Sequence, residues 1–255
     1  MAAARDTLFS NYDIASDKPI PFHAQVYEAI EAIIRSGDLQ PGDQLPGEPR
    51  LCDLFGVSRT VIRQALEQLM RDGLVVRIMG KGTFVAQPRI DADLVGRLTG
   101  FHEDMLEHGH VLVSNVLKQE SGPASPKVAR YLQIPVGEEI IEMQRLRYIG
   151  HDAISLGTIY LPYKLCAPVM KADFRFQSLY RFLREACGLK FVRSERWIEA
   201  VLATEEEAKF LGVESGAPLI LLESVTYLED GTAMEYYHSV NRSDRARFKF
   251  NVVHK

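Results

Sequence analysis

The chain has 255 residues, 46% of them hydrophobic and 25% charged, with a formal net charge of -4 at pH 7; this is ordinary for a soluble globular protein of one or two domains, and bulk charge does not announce a nucleic-acid binder. Cys52, Cys166 and Cys187 are odd in number and far apart, which excludes a disulfide framework and zinc spacing and leads us to expect a reducing cytoplasm. No apolar run reaches the ~18 residues of a membrane span.

Residues 1–18 read as a loose N-terminal arm that lacks the apolar core of a signal peptide. Pro19 and Pro21 break the chain before a helix predicted over Phe22–Ser36, with Val26, Ala29, Ile30, Ile33 and Ile34 on one face and Gly37 as its C-cap. After a turn over 38–43, Glu48–Phe55 reads as a short helix that turns at Gly56. Ser58 then caps a second helix, so the pair describes a helix-turn-helix. On the second helix Ile62, Ala65, Leu66 and Leu69 form the inward stripe. Thr60, Arg63 and Gln64 point the other way, and Arg59 lies on the flank of the first turn. Two arginines, a hydroxyl and an amide at an exposed helix start suit a major groove. Asp72-Gly73 stops the helix. Leu74–Ile78 and Thr83–Ala86 then read as strands around Met79-Gly80-Lys81-Gly82. A hairpin directly after a recognition helix is a wing, with Lys81 at its tip between Gly80 and Gly82. From Arg59 to Arg89 six basic residues face two acidic ones, so the local balance points to DNA although the rest is acidic. A small helical domain with a solvated basic face is the blander alternative, and the attached wing weighs against it.

The pieces Leu45-Pro46, Glu48, Leu51, Phe55-Gly56-Val57-Ser58-Arg59-Thr60, Arg63-Gln64-Ala65-Leu66, Leu69, Gly73-Leu74 and Gly80-Lys81-Gly82-Thr83-Phe84-Val85 match in order and without gaps. They resemble the winged-helix domain of the GntR family of bacterial transcription regulators, over about residues 19–86. The resemblance implies binding to double-stranded DNA through Arg50, Ser58, Arg59, Thr60, Arg63, Gln64, Gly80, Lys81 and Gly82. Where the family has Ser-Glu-Arg this chain has Gly47-Glu48-Pro49. Pro49 cannot make that arginine's base or phosphate contact, although it is tolerated in a first helical turn, and Arg50 leaves the helix at a different angle.

Residues 87–95 read as a linker and 96–255 as a second domain. Thr99-Gly100-Phe101 begins a helix with Glu103 and Asp104 in its first turn, where the dipole prefers them, and Gly109 closes it. Val111–Glu120 reads as a strand, 122–126 as a loop and Lys127–Leu132 as a short helix. Glu138–Ile149 and Ala153–Leu161 are strands around Gly150-His151-Asp152. Ser178–Ala186 is helical, Phe191–Leu202 a strand, and Thr204-Glu205-Glu206-Glu207 a capping box. Leu219–Leu228 and Ala233–Val240 form a hairpin, and Phe248–Val252 is predicted to add an edge strand. Hairpins with short helices between them give an α+β domain, an antiparallel sheet with helices on one side.

This half is similar to the UTRA effector domain of the HutC branch of the GntR family, a chorismate-lyase-like fold. The matching pieces are Thr99-Gly100-Phe101 with Glu103-Asp104-Met105, Arg145-Leu146-Arg147, Tyr160-Leu161-Pro162, Ser178-Leu179-Tyr180, Glu235-Tyr236 and Arg242-Ser243-Asp244-Arg245. On a strand Arg145 and Arg147 share a face with the apolar Ile141 and Met143, so two guanidiniums extend a core row. A paired fork at a cavity edge suits a carboxylate or phosphate, whereas two surface arginines on a solvated strand are the plain alternative. The resemblance implies that Thr99, Gly100, Phe101, Arg145, Arg147 and Ser178 hold an anion, with Tyr180 and Glu235 binding hydroxyl or amine groups. It implies a homodimer, repression relieved by a small anionic effector (sugar phosphate, phosphonate, urocanate-like acid or fatty acid), and no cofactor. Two positions depart from the family: Gly157 stands in place of a glutamate in the run Gly157-Thr158-Ile159-Tyr160, and Asn241 in place of an aromatic.

His102, His108 and His110 cluster without sharing a helix face, so a surface or core role is expected rather than a metal. Two other functions remain open at this point. One is an enzyme acting on a small anionic metabolite through the C-terminal domain, although no nucleophile–base pair stands out. The other is an activator, or a constitutive DNA binder with a vestigial pocket.

Overall fold

The computed structural model describes residues 2–15, 17, 19–78, 80–87, 89–92, 98 and 100–249. Met79, Pro88, Gly96, Thr99 and 250–252, which the sequence places in a turn, a linker, a domain start, the effector turn and a last strand, lie outside them. The chain divides into two compact units, 1–89 and 90–255.

The first unit contains α1 (Ala2–Ser10), α2 (Phe22–Ser36), α3 (Glu48–Phe55), α4 (Arg59–Arg71), β1 (Val75–Ile78) and β2 (Gly82–Val85). Val26, Ile30 and Ile33 of α2 meet Leu51 and Phe55 of α3 and Ile62, Leu66 and Leu69 of α4 in one core, closed by Val75 and Val85 from the hairpin. Gly56 ends α3 in the left-handed region, at φ 65°, which glycine adopts without a Cβ penalty. The Ser58 hydroxyl accepts from the Val61 N–H at 3.5 Å at the start of α4.

The N-terminal arm is not loose. α1 carries Phe9 into the core with no exposed surface, edge-on to Phe55 with ring centres 6.0 Å apart. The Gln25 side chain secures the chain that follows: its amide nitrogen donates to the Ala15 and Ile20 carbonyls, and its oxygen accepts from the Ala15 N–H. One aromatic anchor fixes α1, a helix too short to show a period in sequence.

The second unit contains β3 (Ile90–Ala92), α5 (Phe101–Glu107), β4 (Leu112–Pro123), α6 (Pro126–Leu132), β5 (Glu139–Ile149), β6 (Asp152–Pro162), α7 (Tyr163–Cys166), a 3-10 turn (Ala167–Lys171), α8 (Leu179–Ala186), β7 (Phe191–Leu202), α9 (Glu205–Leu211), β8 (Pro218–Leu228), β9 (Ala233–Arg242) and β10 (Ala246–Phe248). Six strands form an antiparallel sheet in the order β4-β5-β6-β9-β8-β7.

Two expectations are corrected here. The stretch read as a linker holds β3, and the last strand pairs in parallel with it, Ala246 opposite Ile90, instead of extending the main sheet. The helices also cover both faces of the sheet. Phe101 and Met105 of α5 and Leu179 and Leu183 of α8 pack with Ile141, Met143 and Ile159. Residues of opposite parity pack against α6 (Ile140, Val225, Tyr236) and α9 (Leu146, Leu156, Val240). Strand residues alternate between faces, and here both sets are apolar enough to be covered.

Candidate functional site

The exposed side of the first unit presents the residues expected to meet DNA. Arg59, Thr60, Arg63 and Gln64 are exposed on α4, and Gly80, Lys81 and Gly82 at the wing tip. The tip is braced by Gln44, whose side chain donates to the Lys81 carbonyl at 2.8 Å. Gly82 has φ +123°, a backbone conformation that selects glycine, and a Cβ there would displace the bracing Gln44 amide, whose Nε2 would lie 2.7 Å away.

Glu48, at the start of α3, gathers the arginines. Its Oε2 accepts from Arg59 Nε at 2.9 Å and from Arg63 Nε at 3.0 Å, and its Oε1 accepts from Arg77 Nη2 at 2.9 Å. The Arg59 hydrogen bond, followed by Arg63's, holds the carboxyl below the usual carboxylate range. In the sequence Arg77 stands only as local positive charge and Glu48 only as part of the family pattern, and nothing there pairs them. Arg50 turns toward α1, where Nη2 meets Asp6 Oδ2 at 2.7 Å.

In the second unit one cavity, enclosing about 560 Å³ of empty space including the part open to solvent, is lined by Gly100, Phe101, Arg145, Arg147, Ser178, Tyr180 and Glu235. These are the expected effector residues apart from Thr99. β5 supplies the arginine pair, β9 Glu235, and α5 and α8 the roof. Ser178 Oγ caps α8 by accepting from the Arg181 N–H at 3.1 Å.

Arg145 and Arg147 keep only 5% and 4% of their surface exposed. Arg145 Nε has no hydrogen-bond partner among the described residues, and burial, then repulsion from Arg147, pulls the group down to about 9. Arg147 Nη1 donates to Tyr237 Oη at 2.8 Å. Glu235 is 2% exposed. Its Oε1 accepts from Tyr180 Oη at 3.1 Å, whereas its Oε2 has no partner among the described residues. Burial pushes this carboxyl up to about 7, opposed by the Tyr180 hydrogen bond and by Arg196, Arg145 and Arg147. Buried polar atoms without partners cost free energy, and these two line one concavity. The arrangement is suited to a ligand with negative charge for the arginines and a donor for Glu235.

Gly157 lies opposite Arg145 in the β5–β6 register. A Cβ there would sit 2.7 Å from both Arg147 Nη1 and Tyr237 Oη. The space a glutamate would enter is thus taken by the Arg147–Tyr237 pair. Asn241 is buried and donates to the Ile220 carbonyl at 3.1 Å and to Ser239 Oγ at 3.0 Å.

Arg196 was missed from the sequence. It lies on β7 in a cross-strand row with Ser224, Tyr237 and Ile159 and lines the same cavity, so a third guanidinium reaches it from the far edge of the sheet. Only the strand order reveals this. His102 also lines the cavity, its proton affinity lowered by burial and then by Arg145 and Arg147. His108 Nδ1 lies 2.8 Å from the Asp104 carbonyl. Among the described residues, no group of three or more His, Cys, Asp or Glu is placed to hold a metal ion, and no helix is long and apolar enough to cross a membrane.

Comparison with known proteins gives two family matches: residues 22–85 match the bacterial regulatory proteins of the gntR family, and residues 107–247 match the UTRA domain. The chain is 33% identical to the HTH-type transcriptional repressor NagR of Bacillus subtilis, covering 92% of this chain and 96% of that protein. It is 30% identical to the histidine utilization repressor of Pseudomonas aeruginosa, covering 82% of each. Among solved structures, PhnF from Mycobacterium smegmatis superposes with a TM-score of 0.66 at 28% identity, covering 89% of this chain and 99% of that one.

Proposed function

This chain belongs to the GntR family of bacterial regulatory proteins and carries the UTRA domain, and from that premise we propose that it is a ligand-responsive repressor, released from a palindromic operator by a small anionic metabolite. The observation that carries the ligand half of this reading is the buried Arg145–Arg147 pair sharing one cavity with Glu235, whose Oε2 has no partner among the described residues. Gly100, Phe101, Ser178 and Tyr180 complete the proposed effector site, with Thr99 assigned from the sequence. The proposed DNA contacts are Arg50, Ser58, Arg59, Thr60, Arg63, Gln64, Gly80, Lys81 and Gly82, on a winged helix over 19–86, with residues 87–95 leading to an effector and dimerisation domain over 96–255. The relatives named as repressors support the sign of the regulation.

The protein acts in the cytoplasm as a homodimer, because one winged helix spans too few base pairs for useful discrimination and two-fold pairing doubles the site. The effector acts by binding one arrangement of the dimer more tightly than the other, with a coupling of about 1–3 kcal/mol. The test is thermal unfolding with inorganic phosphate, sugar phosphates and small carboxylic acids. At least one of them is expected to stabilise the wild-type chain and not Arg147→Ala. Equal responses of both proteins to every anion would reject the site.

A further inference from the structure

Among the described residues, Glu48 is the acidic side chain that Arg59, Arg63 and Arg77 share. Its side chain is 15% exposed, whereas theirs are 62%, 55% and 49% exposed. The three arginines come from two elements, the recognition helix α4 and the wing strand β1. Isolated surface ion pairs contribute little to stability and networks such as this one somewhat more, but stability alone does not explain why its members are exposed arginines of the recognition helix and the wing. Its geometry fits a different use. Arg59 and Arg63 are both held through Nε, a nitrogen that an end-on pair of bonds to guanine O6 and N7 does not need. A carboxylate that takes Nε therefore fixes the plane of each guanidinium and aims its terminal nitrogens.

We propose that Glu48 is a positioning residue that sets the DNA-sequence discrimination of this repressor, by holding Arg59, Arg63 and Arg77 in one pre-aimed array. The proposal rests on the DNA-binding assignment above. Its physical content is twofold. Orientation fixed before binding lowers the ordering cost at the correct base pairs, where the forks meet their acceptors. At any other sequence the arginines must leave a charge-assisted hydrogen bond to reach phosphate, and the nearby negative charge weakens the sequence-independent attraction. Glu48 thus raises affinity for the right duplex and lowers it for every other.

The experiment selects duplexes from a random library with the full-length wild-type chain. It then measures affinity for the selected duplex and for poly(dI-dC) across a salt series. Glu48→Gln, which keeps the size and removes the charge, is expected to bind poly(dI-dC) more tightly, with the salt slope steeper by roughly one counterion. Its ratio of selected to non-specific affinity is expected to fall about tenfold or more, the size of one lost bidentate base contact. Glu48→Asp keeps the charge and draws it back by one methylene. It is also expected to lower the ratio, and it serves if the glutamine variant does not fold. An unchanged ratio in a folded variant, or a parallel loss of both affinities, overturns the role of Glu48. If the wild-type chain itself selects no sequence, the DNA-binding assignment fails instead.

Discussion

Gly157 and Tyr237 are joined by exclusion: a side chain at 157 and the Arg147–Tyr237 hydrogen bond compete for the same space. Gly157→Ala is therefore expected to turn Arg147 out of place and to cost about 1–3 kcal/mol of stability, as overpacking does. A urea titration checks the cost, and an unchanged midpoint would show that Arg147 yields freely. Glu235 carries a second expectation. In the folded chain it keeps its proton up to about 7, whereas unfolded it ionises near ~4.3. Between those values the folded state binds more protons, so the contribution of Glu235 to stability falls as pH rises through that window and is constant above it. Glu235→Gln removes the effect, so the variant should gain stability relative to wild type as pH rises from about 4.3 to about 7. A constant difference in unfolding free energy over that range would contradict the burial argument. Arg145 and Arg147 were legible in the sequence because two charges continued an apolar row. Glu235 was legible only through the family resemblance, and Arg196 was not, because strands far apart in sequence bring it to the cavity.

At the scale of elements, α4 was readable to the residue: a capping serine, a stripe at helical spacing and a stop at Asp72-Gly73 are local signals. If α4 is the reading helix, Arg63→Ala weakens operator binding by about 1–3 kcal/mol and blurs one base position. Unchanged binding would move the contact elsewhere. α1 was not readable, since a nine-residue helix held by Phe9 depends on a tertiary contact. Phe9→Ala is expected to cost about 3 kcal/mol in the unfolding of the first unit, whereas a loose arm would cost nothing. The Asp6–Arg50 pair beside it is exposed and adds little. The parallel β3–β10 pair was unreadable for a related reason: three-residue strands have no alternation to detect, and the partner lies at the far end of the chain.

For the whole molecule, the proposed homodimer needs a surface. Among the described residues β7 offers one: an edge strand of the main sheet with Val192, Trp197, Ile198 and Leu202 exposed by 52%, 42%, 42% and 70%. An edge strand with exposed apolar side chains between its charges is a surface on which a second copy can pair. Ile198→Lys with Leu202→Lys is expected to leave monomers in sedimentation and to weaken operator binding, and a persisting dimer would place the interface on another face. The α+β class, both resemblances and the wing follow from local pattern, whereas the helices on the second face of the sheet required knowing that both parities of each strand are apolar.

The claim on which the rest depends is that a small anion held by the arginine pair governs the grip of the winged helix on DNA. It is tested most directly by measuring affinity for the library-selected duplex while small phosphorylated and carboxylated metabolites are added to the wild-type chain and to Arg147→Ala. One of these anions is expected to lower wild-type affinity about fivefold or more, the low end of ordinary allosteric coupling, and to leave the variant unmoved. Release of both proteins alike, or of neither by any anion, would contradict that claim.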